Sequence, residues 1–217
     1  MRKIYLVRHA QPDMGGEGRH LCLGRTNAPL SPDGIREARR LASFFRDKDI
    51  RAVYASPLIR CRKTAEILVE GSGRPGMEIV TVESFAEVDA GRWDGVDFTQ
   101  LREMYPEEFE KRDRSPGRYV IPGGESLEMA GRRFREAFCR LSTGTGAKEA
   151  KEGFPPAGDI LIVAHAGVMQ AFLSLLTGKD IDRLWDFYLP YASVTVLSQE
   201  TADGPLQVDA VGVCPLS

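Results

Sequence analysis

The chain has 217 residues, a length typical of one large α/β domain and less so of two small ones. Hydrophobic residues make up 42% and charged residues 28% of it, which excludes a disordered composition and suits a globular protein with a substantial core. The formal net charge is −2 with no long run of one sign, so we expect neither a nucleic acid nor a membrane surface as partner.

Targeting and redox signals are weak in this sequence. The first residues lead directly into an apolar run, which leaves no room for a signal peptide, and no apolar segment approaches the roughly 18 residues that span a bilayer. The four cysteines are scattered without a C-x-x-C pair, a pattern typical of reduced thiols. We therefore predict a cytoplasmic protein with a single domain over residues 1–217.

The apolar run at residues 4–7 predicts a strand buried on both faces, as at the centre of a parallel sheet. Arg8 and His9 follow it at the point where α/β proteins open into a ligand crevice. A guanidinium fork beside an imidazole suits a phosphoryl group, because arginine binds its oxygens and histidine can attack phosphorus. An isolated Arg-His pair is more often only the first solvated residues after a strand, so other motifs must decide.

Strands and helices alternate along the rest of the chain. The predicted elements are a loop at 11–31, a helix capped by Ser31 and Pro32, a strand at 51–55, a helix at 58–69 capped by Ser56 and Pro57, a strand at 78–82, two short helices in 97–113 broken at Pro106, a helix at 125–141, a solvated linker at 142–158, a strand at 160–164, a helix at 168–176, and strands at 193–197 and 207–213 joined by a hairpin at Asp203-Gly204. This order predicts an α/β fold with three layers, α/β/α, whose central sheet is mostly parallel with an antiparallel edge strand.

Two buried strands each run into a histidine. His9 follows the strand at 4–7, and His165 follows the strand at 160–164. Because parallel strands end at one edge of a sheet, the two histidines face each other if the strands are neighbours. His20 lies in the long loop and is read as exposed or near the substrate. A zinc site built from the three histidines is disfavoured, because no carboxylate or cysteine has ligand-like spacing to any of them.

Two further residues lie at the predicted sheet edge. Arg60 is in the first turn of the helix after the second strand, where backbone N–H groups favour an anion, whereas Arg62 and Lys63 are expected on solvated faces. Glu87 follows the third strand and could act as a general acid or base; taken alone, a residue in this position is more often a surface acid.

These motifs together resemble the histidine phosphatase superfamily, the phosphoglycerate mutase-like group, over almost the whole chain. The resemblance is carried by Leu6-Val7-Arg8-His9-Ala10, Ser56-Pro57-Leu58-Ile59-Arg60-Cys61-Arg62-Lys63-Thr64-Ala65, Glu87 with Gly91-Arg92-Trp93-Asp94-Gly95, and Val163-Ala164-His165-Ala166-Gly167-Val168. It implies a phosphoglycerate mutase-like fold and a phosphohistidine mechanism without metal or cofactor.

The resemblance also implies roles for the site residues. His9 would be the nucleophile, Arg8, Arg60 and His165 would hold the phosphoryl oxygens, and Glu87 would protonate the leaving oxygen and then deprotonate the attacking water. Cationic donors stabilise the charge spread over a phosphoryl transition state. His9 must attack as neutral imidazole whereas His165 is useful as imidazolium, so we expect their environments to push the two pKa values apart.

The insertion at about 93–125 looks like a lid, with Trp93, Phe98, Met104, Tyr105 and Tyr119 available to shape specificity or to pack the lid itself. Its modest length resembles the phosphatase branch more than the mutases. The segment 22–31 resembles the loop of α-ribazole phosphatases and broad-specificity phosphatases, which implies Gly24 and Thr26 as substrate contacts. The expected partner is a small phosphomonoester, with α-ribazole phosphate one candidate, and the expected state is a monomer or homodimer.

Three positions depart from the family pattern. Ala10-Gln11 stand where Gly and Glu are frequent, residues 14–18 lack an Asn that often binds phosphate, and Tyr191 stands where Asn is frequent. These departures bear on the substrate. The alternatives to a phosphomonoesterase are a phosphoglycerate mutase and a non-catalytic phosphate-binding module; the presence of a general acid counts against the second.

Overall fold

The computed structural model describes residues 1–16, 18–143, 157–201 and 204–215. Its strands are β1 (Arg2–Arg8), β2 (Ile50–Ala55), β3 (Ile79–Thr81), β4 (Asp159–Ala164), β5 (Val194–Gln199) and β6 (Gln207–Val213). Its α-helices are α1 (Pro32–Ala42), α2 (Ile59–Gly71), α3 (Phe98–Met104), α4 (Pro106–Arg114), α5 (Leu127–Thr143) and α6 (Ala166–Thr177). Most of the predicted linker, positions 144–156, and Asp203 of the predicted hairpin turn lie outside the described residues.

The strands form one sheet in the order β3-β2-β4-β1-β5-β6. The strands β3, β2, β4 and β1 are parallel, whereas β5 runs antiparallel to β1 and β6 antiparallel to β5. The predicted α/β fold with a mostly parallel sheet and an antiparallel edge is confirmed, and that edge consists of two strands.

The central strands β1 and β4 are buried on both faces, as their unbroken apolar sequences predict. Ile4 and Leu6 of β1 join a core with α5 and α6, while Tyr5 and Val7 join a second core with α1 and α2. Because successive side chains of a strand point to opposite faces, one apolar run fills both cores. This packing fixes the carboxyl ends of β1 and β4, and His9 and His165 directly follow those two ends.

The two predicted helix caps have different outcomes. Ser31 caps α1, since its Oγ accepts the N–H of Gly34 at 3.0 Å. The cap predicted at Ser56 is wrong: α2 begins at Ile59, whose N–H donates to Asn27 Oδ1 at 2.7 Å. Asn27 thereby takes an N–H group that was expected to face an anion.

The insertion carries its own small core. The predicted break at Pro106 between α3 and α4 is confirmed. Trp93 is almost fully buried and packs with Leu101 and with half-buried aromatic rings, Tyr105, Phe109 and Tyr119. In the described parts of the chain, no helix combines the length and the apolar character needed to cross a membrane.

Candidate active site

His9 and His165 face each other at the carboxyl edge of the sheet, as predicted. The strands β1 and β4 are parallel neighbours with Arg8 opposite Ala164, so each histidine follows a paired residue. The ring centroids lie 5.1 Å apart. His9 is 5% exposed and His165 is fully buried, so both rings lie in a low-dielectric environment.

The backbone determines the tautomer of His9. Its Nδ1 lies 2.8 Å from the carbonyl oxygen of Ala10. A carbonyl can only accept, so Nδ1 carries the proton and the lone pair of the neutral ring is on Nε2. Burial, then the charges of Arg60 and Arg8, lower the pKa of His9 well below its ordinary value. His9 is therefore a neutral imidazole with a nucleophilic Nε2.

His165 differs from the prediction. Burial, followed by the positive charge of Arg60, also lowers the pKa of His165 well below its ordinary value, which favours the neutral ring over the predicted imidazolium. Its Nε2 lies 2.7 Å from Ser56 Oγ and 3.3 Å from Cys61 Sγ. A neutral His165 can still donate one N–H, and Ser56 holds the ring in place.

The guanidinium of Arg8 is held on two sides. Its Nη1 donates to the carbonyl of Leu189 at 2.7 Å, and its Cζ lies 3.7 Å from the ring centroid of Tyr191. The backbone beside this ring is strained, because Ala192 has a φ of 53°. The Nε of Arg8 is buried and has no hydrogen-bond partner among the described residues. From the sequence, Tyr191 was noted only as a departure, and its stacking on Arg8 was missed.

Arg60 is fully buried beneath the loop that contains Gly24 and Thr26. Its Nη1 donates to the carbonyl of Thr26 at 2.7 Å and its Nη2 to that of Gly24 at 2.9 Å. Its Nε, like that of Arg8, is buried and without a partner in the described chain. Gly24 lines the cavity described below, whereas Thr26 is exposed and not part of its lining, so substrate contacts for these two residues stay predictions.

Glu87 lies at the amino end of α6. Its Oε1 accepts the N–H groups of Val88 and Val168, each at 2.9 Å, and its Oε2 accepts that of Gly167 at 3.1 Å. A Cβ on Gly167 would stand 2.8 Å from Glu87 Oε1, so only glycine allows this approach. The carboxylate faces the same cavity as His9.

A cavity of about 270 Å³ opens above His9. Its apolar and aromatic lining is formed by Pro12, Met14, Leu21, Leu23, Val88, Trp93, Phe98, Tyr119, Ile121, Leu127, Trp185 and Tyr191. Of the five predicted lid side chains, Met104 and Tyr105 do not line it. Arg60, His165 and His20 are not among its lining residues; Arg60 and His165 are fully buried, whereas His20 is exposed. In the ranges described, no group of three or more His, Cys, Asp or Glu residues could hold a metal ion.

Comparisons with known proteins extend over nearly the whole chain. The family model described as the histidine phosphatase superfamily, branch 1, matches residues 4–209. A Hydrogenobacter thermophilus protein provisionally named phosphoserine phosphatase 2 is 30% identical over 200 residues, which cover 92% of this chain and 91% of that protein.

Solved structures share the fold. YhfR of Bacillus stearothermophilus has a TM-score of 0.82 at 25% identity, with 98% of this chain and 97% of that one covered. The α-ribazole phosphatase of Shigella flexneri has a TM-score of 0.80 at 20% identity, with 99% and 98% covered. At that identity the second likeness concerns the fold alone.

Proposed function

The chain belongs to the histidine phosphatase superfamily, a group of metal-independent phosphoric monoester hydrolases, and from that premise we propose a phosphohistidine mechanism at His9. The Nε2 of His9 attacks phosphorus, the N–P bond forms, and the bond to the leaving oxygen breaks. Water then attacks the phosphohistidine, the N–P bond breaks, and inorganic phosphate leaves. The net reaction consumes one water for each ester bond.

One observation carries the proposal: two buried guanidinium donors without partners flank a neutral nucleophile. The Nε atoms of Arg8 and Arg60 have no hydrogen-bond partner in the described residues, although buried N–H groups are nearly always paired. Both guanidinium charges act on His9, since both lower its pKa. The equatorial oxygens of a transferring phosphoryl group would accept hydrogen bonds from these donors. The two guanidinium charges would then stabilise the negative charge on those oxygens. His165 supplies a third donor.

Glu87 is the general acid and base in this proposal. It lines the same cavity as His9, and the N–H groups of Gly167 and Val168 hold its carboxylate in one orientation. In the first step it gives a proton to the leaving oxygen. In the second step it takes a proton from the attacking water, which returns the group to its starting state.

The lining of the cavity bears on the leaving group. Most of the wall is apolar or aromatic. The two charged lining residues outside the catalytic set are already paired, Glu125 with Arg133 at 2.7 Å and Arg112 with Asp113 at 3.0 Å. This lining favours a leaving alcohol with a planar apolar body over a small zwitterion such as phosphoserine. We therefore propose α-ribazole phosphate as the first substrate to test. No feature of the site favours a mutase or a silent binding module.

The test compares α-ribazole phosphate, phosphoserine and 3-phosphoglycerate as substrates with EDTA present. We expect hydrolysis to survive EDTA, and kcat/KM to favour α-ribazole phosphate by about 10-fold or more. A preference for phosphoserine would overturn the substrate proposal, isomerised 3-phosphoglycerate would indicate a mutase, and inactivity on all three and on p-nitrophenyl phosphate would contradict hydrolysis.

A Glu87→Gln variant tests the acid role separately. Loss of a general acid costs about 10²–10⁴-fold on an alkyl phosphate, whose leaving oxygen needs a proton. The rate of the first step should fall much less on p-nitrophenyl phosphate, because its leaving group needs no proton. Equal losses in single-turnover ester cleavage on both substrates would contradict the assignment.

The cytoplasmic location and the monomeric or homodimeric state also remain proposals. All four cysteines are thiols, which suits a reducing compartment. Light scattering of the purified protein would determine its state of association.

A further inference from the structure

We propose that Asp94 is a positioning residue for Arg60 and acts through the backbone of residues 23–26. Asp94 lies in the insertion and is not part of the cavity lining. The inference rests on the proposed function, in which Arg60 binds the phosphoryl group. It goes beyond that function because it names a residue outside the phosphate site that determines the orientation of the Arg60 guanidinium.

Asp94 binds three consecutive backbone N–H groups. Its Oδ1 accepts from Gly24 at 2.8 Å, and its Oδ2 accepts from Arg25 at 2.9 Å and from Thr26 at 2.7 Å. Successive N–H groups that converge on one anion form a concave nest. The approach depends on Gly24, because a Cβ there would lie 2.6 Å from the carbonyl oxygen of Val88. The loop is thus held against the insertion by a charge-assisted set of bonds.

The carbonyl groups of the same loop hold Arg60. The oxygens of Thr26, Gly24 and Leu23 accept from its Nη1 and Nη2 at 2.7, 2.9 and 3.4 Å. Amides of the loop therefore face Asp94 while its carbonyls face Arg60. These bonds fix the guanidinium plane and leave the buried Nε without a partner in the described chain. The direction of that Nε–H follows from where Asp94 holds the loop.

The consequence for catalysis follows from the geometry of phosphoryl transfer. A donor stabilises developing charge only when it lies about 2.7–3.1 Å from the oxygen, and a misplacement of about 1 Å can cost about 10²-fold. Releasing the loop would allow the Arg60 guanidinium to turn with it. Asp94 is thus expected to affect turnover and phosphate-site affinity without touching the substrate.

The test replaces Asp94 by Asn, which keeps the shape but turns an amide NH₂ toward backbone donors. We expect kcat/KM to fall about 10- to 100-fold, and the inhibition constant of orthovanadate, a phosphoryl transition-state mimic, to rise by a similar factor. Asp97→Asn is the matched control, because Asp97 ties the same loop at His20 N and caps α3 at Thr99 N but has no bond to residues 23–26. It should lower the melting temperature and leave the vanadate constant within about 3-fold.

A double-mutant cycle with Arg60→Lys separates this inference from the proposed function. If Asp94 acts through Arg60, the effect of Asp94→Asn is much smaller in the Arg60→Lys background. Equal effects in both backgrounds, or an unchanged vanadate constant in a folded Asp94→Asn protein, would overturn the role of Asp94 alone. Wild-type activity and vanadate inhibition in Arg60→Lys would instead overturn the proposed role of Arg60.

Discussion

The sheet edge at His9 and the insertion at 93–125 are built in different ways. At the sheet edge, His9, Arg60 and His165 are at most 5% exposed, and each is fixed by hydrogen bonds to backbone or to buried side chains. In the insertion, α4 buries none of its nine residues, and its ion pair between Arg114 and Glu110 is exposed. Exposed pairs contribute little to stability, about 0–1 kcal/mol each.

This difference assigns different tasks to the two regions. In the proposed mechanism, a phosphoryl transition state needs donors that do not reorganise, and the buried sheet edge would provide them. The insertion contributes aromatic side chains around the cavity, and its helix α4 has no buried residue. We expect substitutions at the sheet edge to abolish turnover on every substrate and substitutions around the cavity mouth to change which substrate is preferred.

The largest effect is expected for His9→Ala. Loss of the nucleophile should reduce kcat by about 10⁴-fold or more on every phosphomonoester, because the bond between Nε2 and phosphorus can no longer form. His20→Ala is the control, since His20 is exposed and outside the cavity; it should retain turnover. Steady-state assays on p-nitrophenyl phosphate measure both, and substantial activity in His9→Ala would contradict the nucleophile assignment.

Gly167→Ala tests how tightly the sheet edge is fixed around Glu87. The new Cβ would stand 2.8 Å from Glu87 Oε1 and displace the carboxylate, so we expect kcat to fall about 10- to 100-fold. Gly178→Ala, at the other end of α6, meets no atom within 4 Å but has a φ of 71°, so it should reduce stability only. Similar kcat values for the two variants would indicate that the position of Glu87 is unimportant.

A smaller and substrate-dependent effect is expected for Trp185→Ala at the cavity mouth. Trp185 lines the cavity and lies beneath Arg112, whose Cζ is 5.4 Å from the ring. We expect KM to rise about 10-fold for a substrate with a planar aromatic body and to change little for phosphoserine. Tyr188→Ala is the control, because Tyr188 is 77% exposed and does not line the cavity. An equal rise in KM for both substrates would argue against recognition of the aromatic body by Trp185.

The smallest effect concerns the pH dependence of stability. His9 and His165 have pKa values lowered well below 6.5, so the native state stays neutral at both while the unfolded chain gains protons near 6.5. The unfolding free energy should therefore fall as pH drops below about 6.5, by up to about 1.4 kcal/mol per pH unit for each histidine. Urea titrations from pH 5 to 7 measure this slope, which His9→Ala should reduce; an unchanged slope would contradict a buried neutral His9.

The same contrast explains what the sequence could predict. The placement of His9 and His165 at one edge follows from two apolar runs and from the rule that parallel strands end at one edge. That the two histidines meet also requires β1 and β4 to be neighbours, which the sequence left open. The helix cap at Ser31 is equally local. Such features depend on residues that are close together in the chain, and the periodicity of the sequence is enough to predict them.

The features that were missed depend on contacts between distant segments. Ser56 is not the cap of α2: its Oγ accepts the N–H of Leu58 at 3.3 Å and lies 2.7 Å from Nε2 of His165, which is 109 positions away in the chain. The lowered pKa of His165 follows from complete burial, which a strand-end position does not reveal. Asp94 and the loop at residues 23–26 meet across about 70 positions, through backbone groups that no side-chain pattern records.

The most direct test of the central claim is to trap the phosphoenzyme. Glu87→Gln mixed with p-nitrophenyl phosphate should release one p-nitrophenol per site rapidly, then stall, because water lacks its base for the second step. An alkaline quench followed by peptide mass spectrometry should locate one phosphoryl group on His9, labile to acid. A burst of p-nitrophenol with phosphate on another residue, or with no phosphate on the chain, would contradict the account.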